Sequence, residues 1–369
     1  MNNKKDFCNI FNFNHLKSLR SRFDKDNMFK SISDFKGQII HSFDIESKWY
    51  IKNKNKIKKQ FNDFDSVLIC GMGGSAIGGE LAQTVLYDDI LVPIVINRSS
   101  DIPHWVNSKT LVIISSYSGN TYETIESLNQ ARKKTKKIIA ISCLTGNINN
   151  ICLNQEYPIL NIPSGLQPRC ALGYISSMII LVLSRVGLTR SSTRIRRQLK
   201  ESVRELKNID RYLNDSDSLI FSISHKIKNC SPIIYGFENS TSIVALRFKN
   251  QLQENAKMFS FSNTFPEISH NEIESWNNNS NNFVIWLKKP EMSEKDSKVF
   301  NASFNIIDKL NVEQEIITLN NKYTSNNNKI ARLYKMIYFL DWVSYYTALL
   351  NNVNPTTINN IKLLKKSIN

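Results

Sequence analysis

Two stretches of the 369-residue chain carry residue types suited to holding an oxyanion: Gly71-Met-Gly-Gly-Ser-Ala-Ile-Gly-Gly79 and Ser115-Ser-Tyr-Ser-Gly-Asn-Thr-Tyr-Glu-Thr124. Glycines let backbone approach a ligand closely. Hydroxyls at a helix N-terminus add short donors where positive dipole collects. Gly74 and Ser75 are the candidates in the first stretch; Ser116, Ser118 and Thr121 are spaced to point at one oxyanion in the second. The ligand this chemistry fits best is the phosphate monoester of a small molecule. Plainer accounts compete: the glycines could serve packing alone, and Asn120 with Glu123 could form a capping-box-like helix start whose hydroxyls merely cap. A dinucleotide is a third option, since Gly71-x-Gly73-x-x-Ala76 fits the Ala variant of that fingerprint. The fingerprint expects an acidic residue after the next strand, but here that strand ends Ile96-Asn97-Arg98, without a carboxylate.

Such turns need a rigid frame. Each follows an apolar run, Val67-Leu-Ile-Cys70 or Leu111-Val-Ile-Ile114, and leads into a helical pattern. Strands predicted at 67–70, 92–96, 111–115, 138–142 and 158–162 alternate with amphipathic helices. This alternation implies an α/β fold with a mainly parallel sheet flanked by helices, and ligands at the carboxyl ends of the strands. The apolar segment Tyr174–Leu188 is too short and too polar to span a bilayer, so it reads as a core helix. A charged helical stretch, Thr193–Tyr212, leads to a boundary at Asn214-Asp-Ser-Asp217. The second half repeats the plan, with strands at Pro232–Gly236, Phe283–Leu287 and Glu315–Leu319 and helices at Ser240–Lys257 and Ile330–Leu350. Asn354-Pro355 reads as the N-cap and first residue of a last helix. The Asn-rich stretches 277–282 and 324–328 read as loops. The expected organisation is an N-terminal extension over 1–45, helical around Ile32–Phe43, a first domain over 46–195 that binds phosphate, and a second over 196–369.

Composition narrows the class. Lys+Arg number 48 against 32 Asp+Glu, a net charge of +16. The lysines are scattered, and the densest run, Lys52-Asn-Lys-Asn-Lys-Ile-Lys-Lys59, reads as a solvated helix surface, so no nucleic-acid partner is expected. Six cysteines (Cys8, Cys70, Cys143, Cys152, Cys170, Cys230) show no CxxC spacing. With no signal peptide in view, they suggest reduced thiols and a cytoplasmic protein. The five histidines, His15, His41, His104, His225 and His270, are dispersed, which speaks against a zinc-dependent site. No cofactor, metal or membrane association is expected.

The two turns resemble the sugar-isomerase (SIS) domain of the bifunctional phosphoglucose/phosphomannose isomerases. Three later segments agree in order: Pro168-Arg-Cys-Ala-Leu-Gly-Tyr174, Asn250-Gln-Leu-Gln-Glu-Asn-Ala-Lys257 and His270-Asn-Glu-Ile-Glu-Ser-Trp276. The resemblance spans about residues 46–369. It implies two tandem SIS-type domains, hexose 6-phosphate substrates and an active site between the domains of a homodimer. Aldose–ketose isomerisation opens the ring, then moves a proton between C2 and C1 through an enediolate, work suited to a carboxylate. By resemblance Glu254 is that base, although Lys257 three residues on would also suit an ordinary surface pair. His270 resembles the ring-opening residue, acting on substrate held mainly by the other subunit; Ser269 and Glu272 are expected to form a capping box there, so Glu272 is assigned to structure. Arg169 resembles the stabiliser of the enediolate. The C-terminal lysine is best matched by Lys365, with Lys362 and Lys366 close by. Thr356 or Thr357 falls where the family has a threonine linked to accepting mannose substrates. The implied reaction interconverts glucose 6-phosphate and mannose 6-phosphate with fructose 6-phosphate. Two alternatives stay open: a non-catalytic phosphosugar-binding protein, and an isomerase for another sugar phosphate such as arabinose 5-phosphate.

Overall fold

A computed structural model describes residues 13–214, 218–276, 281–318 and 328–368. Cys8, residues 215–217 of the expected boundary and most of both Asn-rich stretches lie outside them. The chain forms two compact units, one of residues 33–203 and one joining residues up to Ile32 to those from Arg204 onward. It enters through α1 (Phe13–Phe23) and α2 (Met28–Ser33). The expected extension is thus divided: its first part groups with the second unit, and its helical pattern opens the first.

That pattern becomes α3 (Phe35–Gln60), longer than the period around Ile32–Phe43 predicts. Phe35, Ile39, Trp49 and Ile57 are buried on it, while Lys52, Lys54, Lys58 and Lys59 are exposed, the solvated surface read from the charge run. There follow β1 (Ser66–Cys70), α4 (Gly74–Leu86), β2 (Ile94–Asn97), β3 (Thr110–Ser116), α5 (Tyr122–Ala131), β4 (Ile138–Cys143), α6 (Asn147–Asn154) and β5 (Ile159–Ile162). A short 3₁₀ turn, Pro168–Cys170, leads into α7 (Leu172–Arg185) and then α8 (Ser192–Ile209). The sheet runs β2-β1-β3-β4-β5 with every pairing parallel. Residues of β1, β3 and β4 are buried throughout, as central strands covered on both faces must be. Leu68, Val112, Ile114, Ile138 and Leu128 knit one face of this core. The Tyr174 segment is a core helix, with every residue of α7 except Arg185 buried. Fully buried Glu46 of α3 takes Arg185 Nε at 2.6 Å and Arg196 Nη1 at 3.0 Å, joining α3, α7 and α8.

The second unit holds α9 (Leu219–Ile227), β6 (Ser231–Phe237), α10 (Ser242–Gln251), β7 (Phe261–Phe265), β8 (Asn282–Leu287), α11 (Glu294–Lys309), β9 (Glu313–Ile317), α12 (Lys329–Leu350) and α13 (Asn359–Ile368). Its sheet, β7-β6-β8-β9, is also all parallel. Trp286, Tyr235, Phe265 and Phe300 fill the core on one side of it. Helix α12 is buried on nearly all its faces, as a helix apolar all round must be. Asp24 anchors the N-terminal segment to it, accepting from the Tyr345 hydroxyl at 3.0 Å and from Met28 N at 2.6 Å.

Two further helix boundaries differ from the sequence reading. The helix expected over Ser240–Lys257 ends at Gln251 and widens into a π-helical turn, Leu252–Ala256, before Lys257 adopts a left-handed φ of 57°. The last helix opens at Asn359, not at Pro355, because Asn354 folds a tight turn in which its Oδ1 accepts from Thr356 N at 2.8 Å.

Candidate active site

In the first unit the two suspected turns meet at the carboxyl ends of β1 and β3. Gly73, at φ 51°, starts α4 with no side-chain cap, and Thr121 starts α5 likewise. The Ser75 hydroxyl accepts from Tyr117 N at 3.3 Å, which locks one turn to the other. Ser116 Oγ accepts from Gly119 N at 3.2 Å and lies 3.1 Å from Thr121 Oγ1, while Ser118 stands exposed. Hydroxyls that accept from backbone amides still carry protons to donate. A Cβ on Gly74 would lie 3.1 Å from Pro168 O and 3.4 Å from Arg169 Cα, so the Arg169 turn packs directly on the start of α4. Gly74, Ser75, Ser116, Ser118, Thr121 and Arg169 therefore gather in one place. The missing acid after β2 matters little structurally: Asn97 binds Ser99 O and Ser127 Oγ, and Arg98 pairs with Glu80.

Residues unremarked in the sequence steady this cluster. Gln38 Nε2 donates to Cys170 O at 2.7 Å, holding the Arg169 turn from α3. The Tyr117 hydroxyl donates to Pro163 O at 3.0 Å and accepts from Leu166 N at 2.8 Å, tying the loop before Arg169 to the serine turn. Burial pushes the Tyr117 phenol up to about 12. No local pattern marks Gln38, since its partner lies 132 residues away.

In the second unit Glu254 sits, half-buried, on the π-helical turn after α10. One face of this segment, Arg247, Gln251 and Asn255 at spacings of four, is bound to α12. Arg247 and Asp341 form a buried two-point pair, Nε–Oδ1 3.1 Å and Nη2–Oδ2 2.6 Å. Gln251 Nε2 reaches Asp341 Oδ1 at 3.2 Å, and Asn255 Nδ2 reaches Ser344 Oγ at 3.0 Å. Desolvation raises the Asp341 pKa while Arg247 opposes that rise. A lone carboxylate within the apolar run Tyr338-Phe-Leu-Asp341-Trp-Val is the sequence signal for this network. With that face tied down, Glu254 is turned into a cavity of about 640 Å³ that Asn250, Lys257, Thr357, Asn360 and Ile361 also line. The Lys257 ammonium binds backbone carbonyls, Glu254 O at 2.6 Å and Asn354 O at 3.1 Å.

Thr357 therefore faces this cavity, its hydroxyl bonded to Asn354 O at 3.3 Å, whereas buried Thr356 is not part of the wall. Lys365 is exposed on α13, one turn beyond Ile361 and on its face; Lys362 and Lys366 share a different one. His270 ends a 3₁₀ turn, Glu267–His270, after β7, with its side chain exposed and outside the cavity wall. The capping box expected there is absent. Glu272 instead accepts from the Tyr235 hydroxyl at 2.7 Å and from Asn263, while Ser269 Oγ lies 3.1 Å from Ser303 Oγ. With Trp276 Nε1 3.1 Å from the Tyr235 hydroxyl, the motif is stitched to β6 and β7. Among the described residues, no three His, Cys, Asp or Glu side chains group as a metal site, and no helix is long and apolar enough to cross a membrane.

Residues 219–368 match the model of the bacterial phospho-glucose isomerase C-terminal SIS domain. The chain is 34% identical, over 92% of its length and 98% of the relative's, to a bifunctional phosphoglucose/phosphomannose isomerase of Caldicellulosiruptor bescii. It is 28% identical to the Thermoplasma volcanium protein of the same name, over 86% of this chain and 97% of that one. Among solved structures, a hypothetical protein of Thermus thermophilus shares the fold with a TM-score of 0.73 at 12% identity, covering 96% of this chain and 92% of that one. Two parallel α/β units and near-full-length similarity give one conclusion: the chain belongs to the family of bifunctional phosphoglucose/phosphomannose isomerases.

Proposed function

We propose that the protein is a metal-independent isomerase that interconverts glucose 6-phosphate and mannose 6-phosphate with fructose 6-phosphate. The observation that carries this reading is the presentation of Glu254 on a braced π-helical turn at the wall of a substrate-sized cavity. The names of the two relatives supply the substrate class. The braced turn, uncommon in helices and recurrent at functional sites, supports a catalytic carboxylate over a surface charge.

In this reading Ser116, Ser118 and Thr121, with the Gly74 amide and the Ser75 hydroxyl at the start of α4, hold the substrate phosphate. Lys365 and His270 open the ring. Glu254 takes the proton from C2 of the open aldose, leaving an enediolate, and returns it to C1 to give the ketose. Arg169 steadies the negative oxygens while the proton is in transit. Thr357, rather than Thr356, is the threonine that contacts substrate. The exposure of His270 supports its use by the partner of a homodimer, and buried free thiols at Cys70, Cys143, Cys152 and Cys170 suit the cytoplasm.

The test is fructose 6-phosphate formation from each aldose, before and after treatment with a chelator, with arabinose 5-phosphate as a comparison. The proposal expects both hexose phosphates to turn over, chelation to leave the rates unchanged, and the pentose phosphate to lag at least tenfold. Binding without turnover would instead indicate a sensor.

A further inference from the structure

The hydroxyl turn after β3 does not hold its shape alone. Gly119, at its middle, has a φ of 68°, and the turn after β4 lies directly against it. A Cβ on Gly146 would fall on Gly119 Cα, 2.6 Å from Ser118 O and 2.9 Å from Gly119 C. The closeness is mutual: a Cβ on Gly119 would lie 2.7 Å from both Gly146 Cα and Ser142 Oγ. Three hydrogen bonds fasten the two turns together. Cys143 N donates to Tyr117 O at 3.2 Å, Ile148 N to Gly119 O at 3.0 Å, and Asn147 N to Asn120 Oδ1 at 2.9 Å.

Gly146 has φ −90° and ψ 156°, backbone angles open to any residue. Only the approach of another backbone excludes a side chain there. Because the atoms it would meet are main chain, a methyl at 146 is accommodated only by moving the hydroxyl turn itself. Favourable non-bonded contacts begin at about 3.5 Å, so the turn would have to retreat by more than about 0.5 Å. Donors aimed at one ligand need to be held within about 0.5 Å of their productive geometry. Asn120 fixes the far end of the turn. Its side chain does not cap α5, the helix that follows it in sequence, but accepts from the first N–H of α6, which Gly146 has no side chain to cap. Its own N–H donates to Ser118 Oγ at 3.3 Å, so one residue ties an exposed hydroxyl of the turn to the start of a second helix.

We propose that Gly146 and Asn120 are positioning residues for the substrate phosphate: the turn after β4 sets the spacing of the Ser116, Ser118 and Thr121 hydroxyls, and through it the affinity for the phosphoryl group. The inference rests on the assignment of those hydroxyls to phosphate. It is tested on the full chain by calorimetric titration with inorganic phosphate, alongside KM and kcat for fructose 6-phosphate. Gly146→Ala is expected to weaken inorganic phosphate by about tenfold or more and to raise KM in parallel. Its kcat is expected to stay within about threefold of wild type, because a handle remote from C1 and C2 binds ground and transition states alike. If Gly146→Ala does not fold, Asn120→Ala, which keeps the glycine and the three hydroxyls, is expected to show the same split between KM and kcat. Ser116→Ala/Thr121→Ala tests the underlying assignment. Phosphate affinity lost in that variant but unchanged in both Gly146→Ala and Asn120→Ala would overturn this inference alone. Phosphate binding absent from the wild type, or unchanged in all three variants, would overturn the assignment and the inference with it. A fall in kcat at unchanged KM and phosphate affinity would also overturn the inference.

Discussion

Ser75, Ser116 and Thr121 show how much of a binding turn is legible residue by residue. Their types and their place after apolar strands pointed to one locus, and the structure gathers them there with Gly74 and Arg169. What stayed hidden was long-range. The Gln38 bond to Cys170 O and the Tyr117 bonds to residues 163 and 166 join positions that no local pattern relates. Buried side chains here also set a pH response. Burial pushes the thiols of Cys70 and Cys152 from 9.0 to about 12, and the Tyr117 phenol from 10.0 to about 12. In the unfolded chain these groups ionise near their ordinary values, so their contribution to stability is full below pH 9 and lost as pH rises toward 12. Melting temperature measured from pH 8 upward should fall steadily above pH 9, and Cys70→Ala/Cys152→Ala should flatten that fall.

Elements are legible in the sequence where one period dominates and obscure where a polar contact resets the backbone. Fully buried runs announced β1, β3 and β4. The π-helical turn was not readable, because the residues that brace it, Asp341 and Ser344, come from α12. Likewise the Asn354 side chain closes a turn on Thr356 and delays the last helix to Asn359. The expected capping box at Ser269 failed because Glu272 is drawn to Tyr235 instead. In the first unit one carboxylate links three helices. Glu46→Ala removes the shared acceptor of Arg185 and Arg196, both about a quarter exposed and so partly rehydrated. The expected loss is about 2–3 kcal/mol, read by urea denaturation. Arg196→Ala, which leaves the Arg185 pair in place, should cost less than half as much.

For the whole molecule, the repeat of one parallel plan in two units was visible in the spacing of strands, while the grouping of residues up to Ile32 with the second unit was not. Family membership rests on similarity across nearly the full chain; the assignment of Glu254 and His270 to separate subunits of one isomerase is the central claim. It is tested most directly by mixing Glu254→Gln with His270→Ala after unfolding and refolding together. Each variant alone should be inactive. Half of randomly assembled dimers are mixed and carry one intact site of two, so the mixture should regain about a quarter of wild-type fructose 6-phosphate formation. A mixture as inactive as its parents, with tagged subunits shown to co-assemble, would contradict the account, as would wild-type turnover by Glu254→Gln alone.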